Sequence, residues 1–159
     1  MKTILLIRHA KSDWPEGIDD FDRPLTEVGK SNAIRMAEFL KEKNTAIDCF
    51  ISSPAKRAKD TCDVFSKIYD KDFDTEQQLY NAREIHFENL IYGLSDDINS
   101  VAIFSHNNGI SNFANYLSDE IVNLPTCGVA GYEIDCDSWS DFETSKKKFL
   151  YFYSPKSIH

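Results

Sequence analysis

Short apolar runs alternate along this chain with longer stretches in which apolar residues recur every three or four positions. The run Thr3-Ile4-Leu5-Leu6-Ile7 is too short for a helix and carries no charge, which predicts a strand at 2–8 buried on both faces. A loop rich in aspartate follows, from Trp14 to Pro24. Ala33, Met36, Ala37 and Leu40 then fall at i, i+3, i+4 and i+7, one stripe of a helix from about Thr26 to Lys43. Asp48-Cys49-Phe50-Ile51 predicts a short second strand. Ser53 offers an N-cap and Pro54 a first helical residue for a helix over 54–70, which buries Ala58, Cys62, Phe65 and Tyr69. A weak strand near 73–79 precedes a third helix striped by Phe87, Leu90, Ile91 and Leu94. A strand at 100–105 leads into a fourth helix that turns Ile110, Phe113, Ala114 and Leu117 inward. Strands near 128–135 and 147–153 complete the pattern, the last with aromatic residues suited to packing on a pleated surface. Repeated strand-then-helix order predicts an α/β fold: a three-layer αβα sandwich with a mostly parallel central sheet.

Length and charge narrow the picture. The 159 residues predict one domain, 1–159, without repeats or linkers. A net charge of −8 argues against nucleic-acid or anionic-membrane partners, so an anionic substrate needs a local cationic pocket. No stretch has the apolar length of a membrane span, and Met1-Lys2 leads into a strand rather than a signal peptide. Cys49, Cys62, Cys127 and Cys136 lack C-x-x-C spacing and read as reduced packing residues, which predicts a cytoplasmic protein.

The candidate chemistry sits at strand ends. The first strand ends in Arg8-His9-Ala10-Lys11-Ser12, and Val101-Ala102-Ile103-Phe104 ends in Ser105-His106. The strand between them in sequence ends in Ser52-Ser53, with Arg57 one turn into the next helix. Open parallel sheets bind ligands outside the carboxyl ends of their strands. Arginine offers a planar fork of donors to phosphate oxygens, and helix N-termini add backbone N–H groups. Each residue alone reads as structural or as solvated surface charge. Together, two histidines and two arginines at three strand ends describe a pocket for a tetrahedral dianion.

These segments resemble the histidine phosphatase superfamily, which includes phosphoglycerate mutases and acid phosphatases. Arg8-His9-Ala10-Lys11-Ser12 is similar to its R-H-G/A-x-S signature, Ser53-Pro54-Ala55-Lys56-Arg57-Ala58 to S-P-x-x-R-A, and Ser105-His106-Asn107 to its second-histidine element. Asp22-Arg23-Pro24-Leu25-Thr26-Glu27-Val28-Gly29 resembles the D-R-P-L-T-x-x-G segment of the short SixA-type phosphohistidine phosphatases. Leu79-Tyr80-Asn81-Ala82, Pro125-Thr126-Cys127 and the Trp139 region look like the same branch. The resemblance implies a phosphoglycerate mutase-like sandwich. It also implies a covalent phosphohistidine on His9, a clamp of Arg8, Arg57 and His106, and hydrolysis by water with no metal or other cofactor.

This chain also departs from that pattern. The wider superfamily places a carboxylic acid near the Leu79-Tyr80 element to protonate an oxygen leaving group, and here Asn81 stands there. Glu84, one turn on, is the candidate acid, and Asp20 or Asp22 could also reach inward. Lys11, Ser12 and Arg23 are candidate substrate contacts. Ser105 and Asn108 replace a glycine and a proline common in relatives, with little consequence expected because asparagine can cap a helix. The expected partner is a phosphorylated protein carrying phosphohistidine, since a missing acid favours P–N cleavage. The alternatives are a phosphatase of small phosphoesters, or a phosphate-recognition module without turnover.

Overall fold

The computed structural model describes residues 1–158; residue 159, the last of the expected domain, lies outside the described residues. One six-stranded sheet runs through it, built from β1 (Lys2–Arg8), β2 (Cys49–Ser52), β3 (Asp74–Thr75), β4 (Ser100–Ser105), β5 (Val129–Ile134) and β6 (Lys147–Tyr153). Their spatial order is β3-β2-β4-β1-β5-β6. The first four are mutually parallel, and β5 and β6 are antiparallel additions beside β1. Four helices cover the faces: α1 (Glu27–Glu42), α2 (Lys56–Ile68), α3 (Glu84–Tyr92) and α4 (Gly109–Leu117).

Alternation along β1 divides the core. Leu5 and Ile7 pack with Ala33, Met36, Ala37 and Leu40 of α1 and with Cys62 and Phe65 of α2. Ile4 and Leu6 face the other way, onto Phe87 and Ile91 of α3, Ile110, Phe113 and Ala114 of α4, and Trp139. Such two-sided burial is why β1 and β4 read as continuous apolar runs. At the opposite end of the sheet from the strand carboxyl termini, Lys2 is buried because its ammonium donates to the carbonyls of Asp96 and Ile98 and to the Asn99 side chain.

β1 feeds α1 on one face, while its neighbour β4 feeds α4 on the other. The chain therefore parts between them and leaves a crevice at their carboxyl ends, the switch point at which open α/β sheets hold ligands.

Local differences from expectation have physical causes. α1 starts as predicted, with the Thr26 hydroxyl accepting from the Gly29 N–H at 2.9 Å. α2 starts at Lys56 rather than Pro54. The Ser53 hydroxyl is engaged in the site and by the Ala55 N–H, so Ser53 makes a turn before the helix instead of capping it. β3 is only two residues long, because a 3-10 turn over Gln77–Leu79 ends the extended segment. Asn108 precedes α4 without a side-chain cap.

Candidate active site

Register brings the strand ends level. Arg8 of β1 pairs with Ser105 of β4, and Ser52 of β2 with Phe104. His9, Ser53 and His106 therefore leave adjacent strands at one height, and the imidazoles of His9 and His106 lie 5.2 Å apart between centroids. The His9 backbone is held on both sides. Its N–H donates to Ser105 O at 3.2 Å, and its carbonyl accepts from Cys127 N–H at 2.9 Å.

The His9 ring is 5% exposed as a residue and has its Nδ1 2.8 Å from Ala10 O. A carbonyl only accepts, so Nδ1 carries the proton and Nε2 bears the free lone pair. Burial pushes the His9 pKa down to about 4, and the charges of Arg57, Arg8 and Arg23 act in the same direction against the Ala10 hydrogen bond. His106 is lowered to about 3, by burial first and then by His9 and Arg57. Its Nε2 lies 2.7 Å from the Ser53 hydroxyl. Both rings are thus neutral near pH 7, the state a nucleophilic imidazole requires.

Around them stand three guanidinium groups. Arg8 donates from Nη1 to Leu124 O at 3.2 Å. Arg57, in the first turn of α2, is 5% exposed and donates from Nη1 to Asp20 O at 2.6 Å and from Nη2 to Asp20 Oδ2 at 3.1 Å. Among the described residues, Nε of Arg8, Nε of Arg57 and Nδ1 of His106 are buried without partners. Native proteins rarely leave such groups unpaired, and an oxyanion in the crevice supplies acceptors for the guanidinium donors.

Arg23 comes from the loop between β1 and α1. That loop is closed by the Ser12–Leu25 bridge and by Asp13 N–H donating to Pro24 O at 2.8 Å. Arg23 donates to Ser12 Oγ at 2.9 Å, to Asp13 O at 3.2 Å and to Asp20 Oδ1 at 3.3 Å, and its Cζ lies 4.4 Å from the centroid of the Trp14 ring. Asp20 stands where these donors meet. Its Oδ2 also accepts from the Tyr80 hydroxyl at 2.6 Å. The Tyr80 bond first, and then Arg57 and Arg23, hold the Asp20 carboxyl down at about 2 despite partial burial. The same hydrogen bond raises the Tyr80 phenol.

The crevice encloses about 390 Å³. Arg8, His9, Arg57 and His106 line it, as do Lys11, Ser12 and Arg23, so these seven residues come together. Glu84 does not. It opens α3 away from the crevice because Asn81, in the left-handed region at φ 60°, turns the chain after Tyr80. Of the candidate acids, Glu84 and Asp22 lie outside the wall, and the carboxylate that lines the crevice among the described residues is Asp20. Tyr80, Asn81, Asn107 and Thr126 also line the crevice.

The supporting roles of two hydroxyls were not read from the sequence. Buried Thr61 accepts from Ala10 N–H at 3.0 Å and donates to Arg57 O at 2.7 Å, tying the His9 loop to α2. Ser105 donates to Leu79 O at 2.7 Å and so helps to set Tyr80, a consequence where little was expected. Neither residue has a spacing that distinguishes it from ordinary core polarity. Among the described residues no group of three or more His, Cys, Asp or Glu is placed to hold a metal.

A switch-point crevice with a neutral imidazole at its floor and arginines around it defines a site for attack on a phosphoryl group. Comparison with known proteins gives the class its family. The sequence pattern of the histidine phosphatase superfamily, branch 1, matches residues 4–101, and the chain belongs to that superfamily. The fold superposes on SixA from Agrobacterium tumefaciens with a TM-score of 0.84 at 25% identity, covering 97% of this chain and 98% of that one. The protein histidine phosphatase SixA in complex with tungstate is similar at a TM-score of 0.81 and 20% identity, with 97% of each chain covered. An uncharacterized chloroplastic protein of Arabidopsis thaliana is 26% identical over 152 residues, which span 88% of this chain and 70% of the relative. The sandwich is thus the phosphoglycerate mutase-like fold of SixA-type proteins, and the family chemistry is that of a phosphatase.

Proposed function

We propose that this phosphatase removes phosphoryl groups from histidine side chains of proteins, through a covalent phosphohistidine on His9 Nε2. The Nε2 lone pair attacks phosphorus while Arg8 and Arg57 balance charge on the equatorial oxygens, His106 adds a hydrogen bond, and Lys11, Ser12 and Arg23 steady the group at the rim. The bond from phosphorus to the leaving atom breaks with its electron pair on the leaving atom. Water then attacks phosphorus, the bond to Nε2 breaks, and inorganic phosphate departs. Because Ala10 O keeps the proton on Nδ1, phosphorylated His9 is an imidazolium and leaves as neutral imidazole.

The observation that carries the choice of substrate is the set of donors, Tyr80, Arg57 and Arg23, on the lining carboxylate. Asp20 is ionised far below neutral pH, so it has no proton to give an alkoxide. A protonated phosphohistidine departs as imidazole without one. The loop that brings Asp20 and Arg23 to the site exposes Trp14, Ile18 and Phe21, surface suited to a protein carrying the phosphoryl group. In this reading the enzyme is cytoplasmic, and four free cysteines support that reading. A small phosphorylated metabolite is the second reading, favoured by the modest size of the crevice.

The test sets a phosphorylated histidine-containing transfer domain beside a panel of small phosphoesters. The expected result is faster dephosphorylation of the domain and an acid-labile, alkali-stable phosphoenzyme that His9→Ala abolishes. Good phosphoester turnover with no action on phosphohistidine would sink the proposal.

A further inference from the structure

Asp20 is a puzzle for a site that binds dianions. Its carboxylate and carbonyl occupy both terminal nitrogens of Arg57, the same donors that a phosphoryl group needs. A phosphoryl group taking those donors leaves Asp20 with Tyr80 and Arg23, and with a lone pair free to accept another hydrogen bond. We infer that Asp20 is the specificity-determining residue for P–N substrates: its ionised carboxylate accepts the distal N–H of the substrate's imidazole and keeps that ring protonated as it leaves.

This inference rests on the phosphohistidine reading and deepens it. Depth places the partners. His9 is 5% exposed, at the floor, while the Asp20 side chain is 39% exposed, at the mouth. In-line attack from the floor sends the leaving group toward the mouth, past Asp20 and Tyr80. Chemical symmetry supplies the second argument. Transfer from one imidazole to another needs the same device on each ring, an acceptor for the N–H remote from phosphorus. For His9 that acceptor is Ala10 O at 2.8 Å, and the lining offers Asp20 for the substrate.

The step balances without moving a proton to the enzyme. The bond from His9 Nε2 to phosphorus forms as the substrate's P–N bond breaks. The electron pair stays on the substrate nitrogen, and its ring leaves neutral with the distal N–H still donated to Asp20. The charged or titratable groups facing Asp20 are Arg57, Arg23 and Tyr80, with His9, His106 and Arg8 deeper in the crevice.

Asp20→Asn tests this with two substrates: the phosphorylated transfer domain and p-nitrophenyl phosphate, whose leaving group needs no proton. A hydrogen bond between charged groups implies that the ratio of kcat/KM for the domain to kcat/KM for the ester falls about tenfold to a hundredfold. The basic limb of kcat on the domain should also move to lower pH, because the imidazolium loses its carboxylate. An unchanged ratio with an unmoved limb overturns the inference even if wild type acts on phosphohistidine. Failure of wild type itself on the domain instead overturns the reading beneath it.

Discussion

In the proposed mechanism His9 draws its reactivity from a hydrogen bond at its other nitrogen. Ala10 O fixes the tautomer, and Thr61 fixes Ala10 by accepting from its N–H while donating to Arg57 O. Thr61→Val keeps the volume and removes that link, leaving a buried N–H unpaired. It should cost about 1–3 kcal/mol in urea denaturation and lower kcat/KM about tenfold. Arg57→Ala removes the more buried of the two clamp arginines and should reduce kcat/KM by about a hundredfold to a thousandfold with the His9 phosphoenzyme still detectable after a quench. The chemical groups at this scale were legible because Arg8, His9 and His106 follow apolar runs, where polar residues stand out, and Arg57 lies one turn into the helix after another such run. Thr61 was not legible, since one threonine on a helix face looks like any other. Asp20 was only one of several loop aspartates until the loop closed over Arg57.

Elements act through register and close approach. Pairing of Arg8 with Ser105 sets the two histidines side by side, and a slip of one residue would turn one of them into the core. Gly29 in the first turn of α1 allows the helix to lie against Lys11, whose carbonyl oxygen a Cβ there would overlap. Gly109 does the same for α4 against Ala82 O. Gly29→Ala must therefore push α1 away from the loop that carries Lys11, Ser12 and Arg23. The expected loss is about 1–3 kcal/mol by urea denaturation, together with a raised KM. Strong periodicity made α1, α4 and the buried strands readable. The start of α2 was misplaced because Ser53 makes its hydrogen bonds with His106 and Ala55, partners that only the packed sheet supplies.

For the whole molecule, the net charge of −8 and the cationic crevice pull in opposite directions. Selectivity for an anion then depends on the local arginines rather than on the overall field. Stability should also depend on pH through the two buried histidines. Both have folded pKa values below the usual 6.5, about 4 for His9 and about 3 for His106. As pH falls below 6.5 the unfolded chain takes up protons first. Stability is therefore fullest above that pH, declines through the window down to the folded values, and has no further slope from these groups below them. Urea midpoints at pH 7 and 5 should show the fall. Tungstate or phosphate should counter it, because a bound oxyanion favours the charged imidazoles; an unchanged midpoint would mean that the two rings take up protons alike in the folded and unfolded chain.

The order of apolar runs was enough to determine an α/β sheet with histidines and arginines at its strand ends, since burial and periodicity are local properties of the chain. Which face each helix covers, which nitrogen of His9 is free, and which carboxylate reaches the phosphoryl site were decided only by tertiary structure. Each depends on contacts between segments far apart in sequence: Asp20 meets Arg57 and Tyr80, and the Ala10 carbonyl that fixes the His9 proton sits in a peptide segment tied to Thr61 of α2. Hydrogen bonds of that kind leave no spacing to read, because they are set by how the sheet and its covering loop come together.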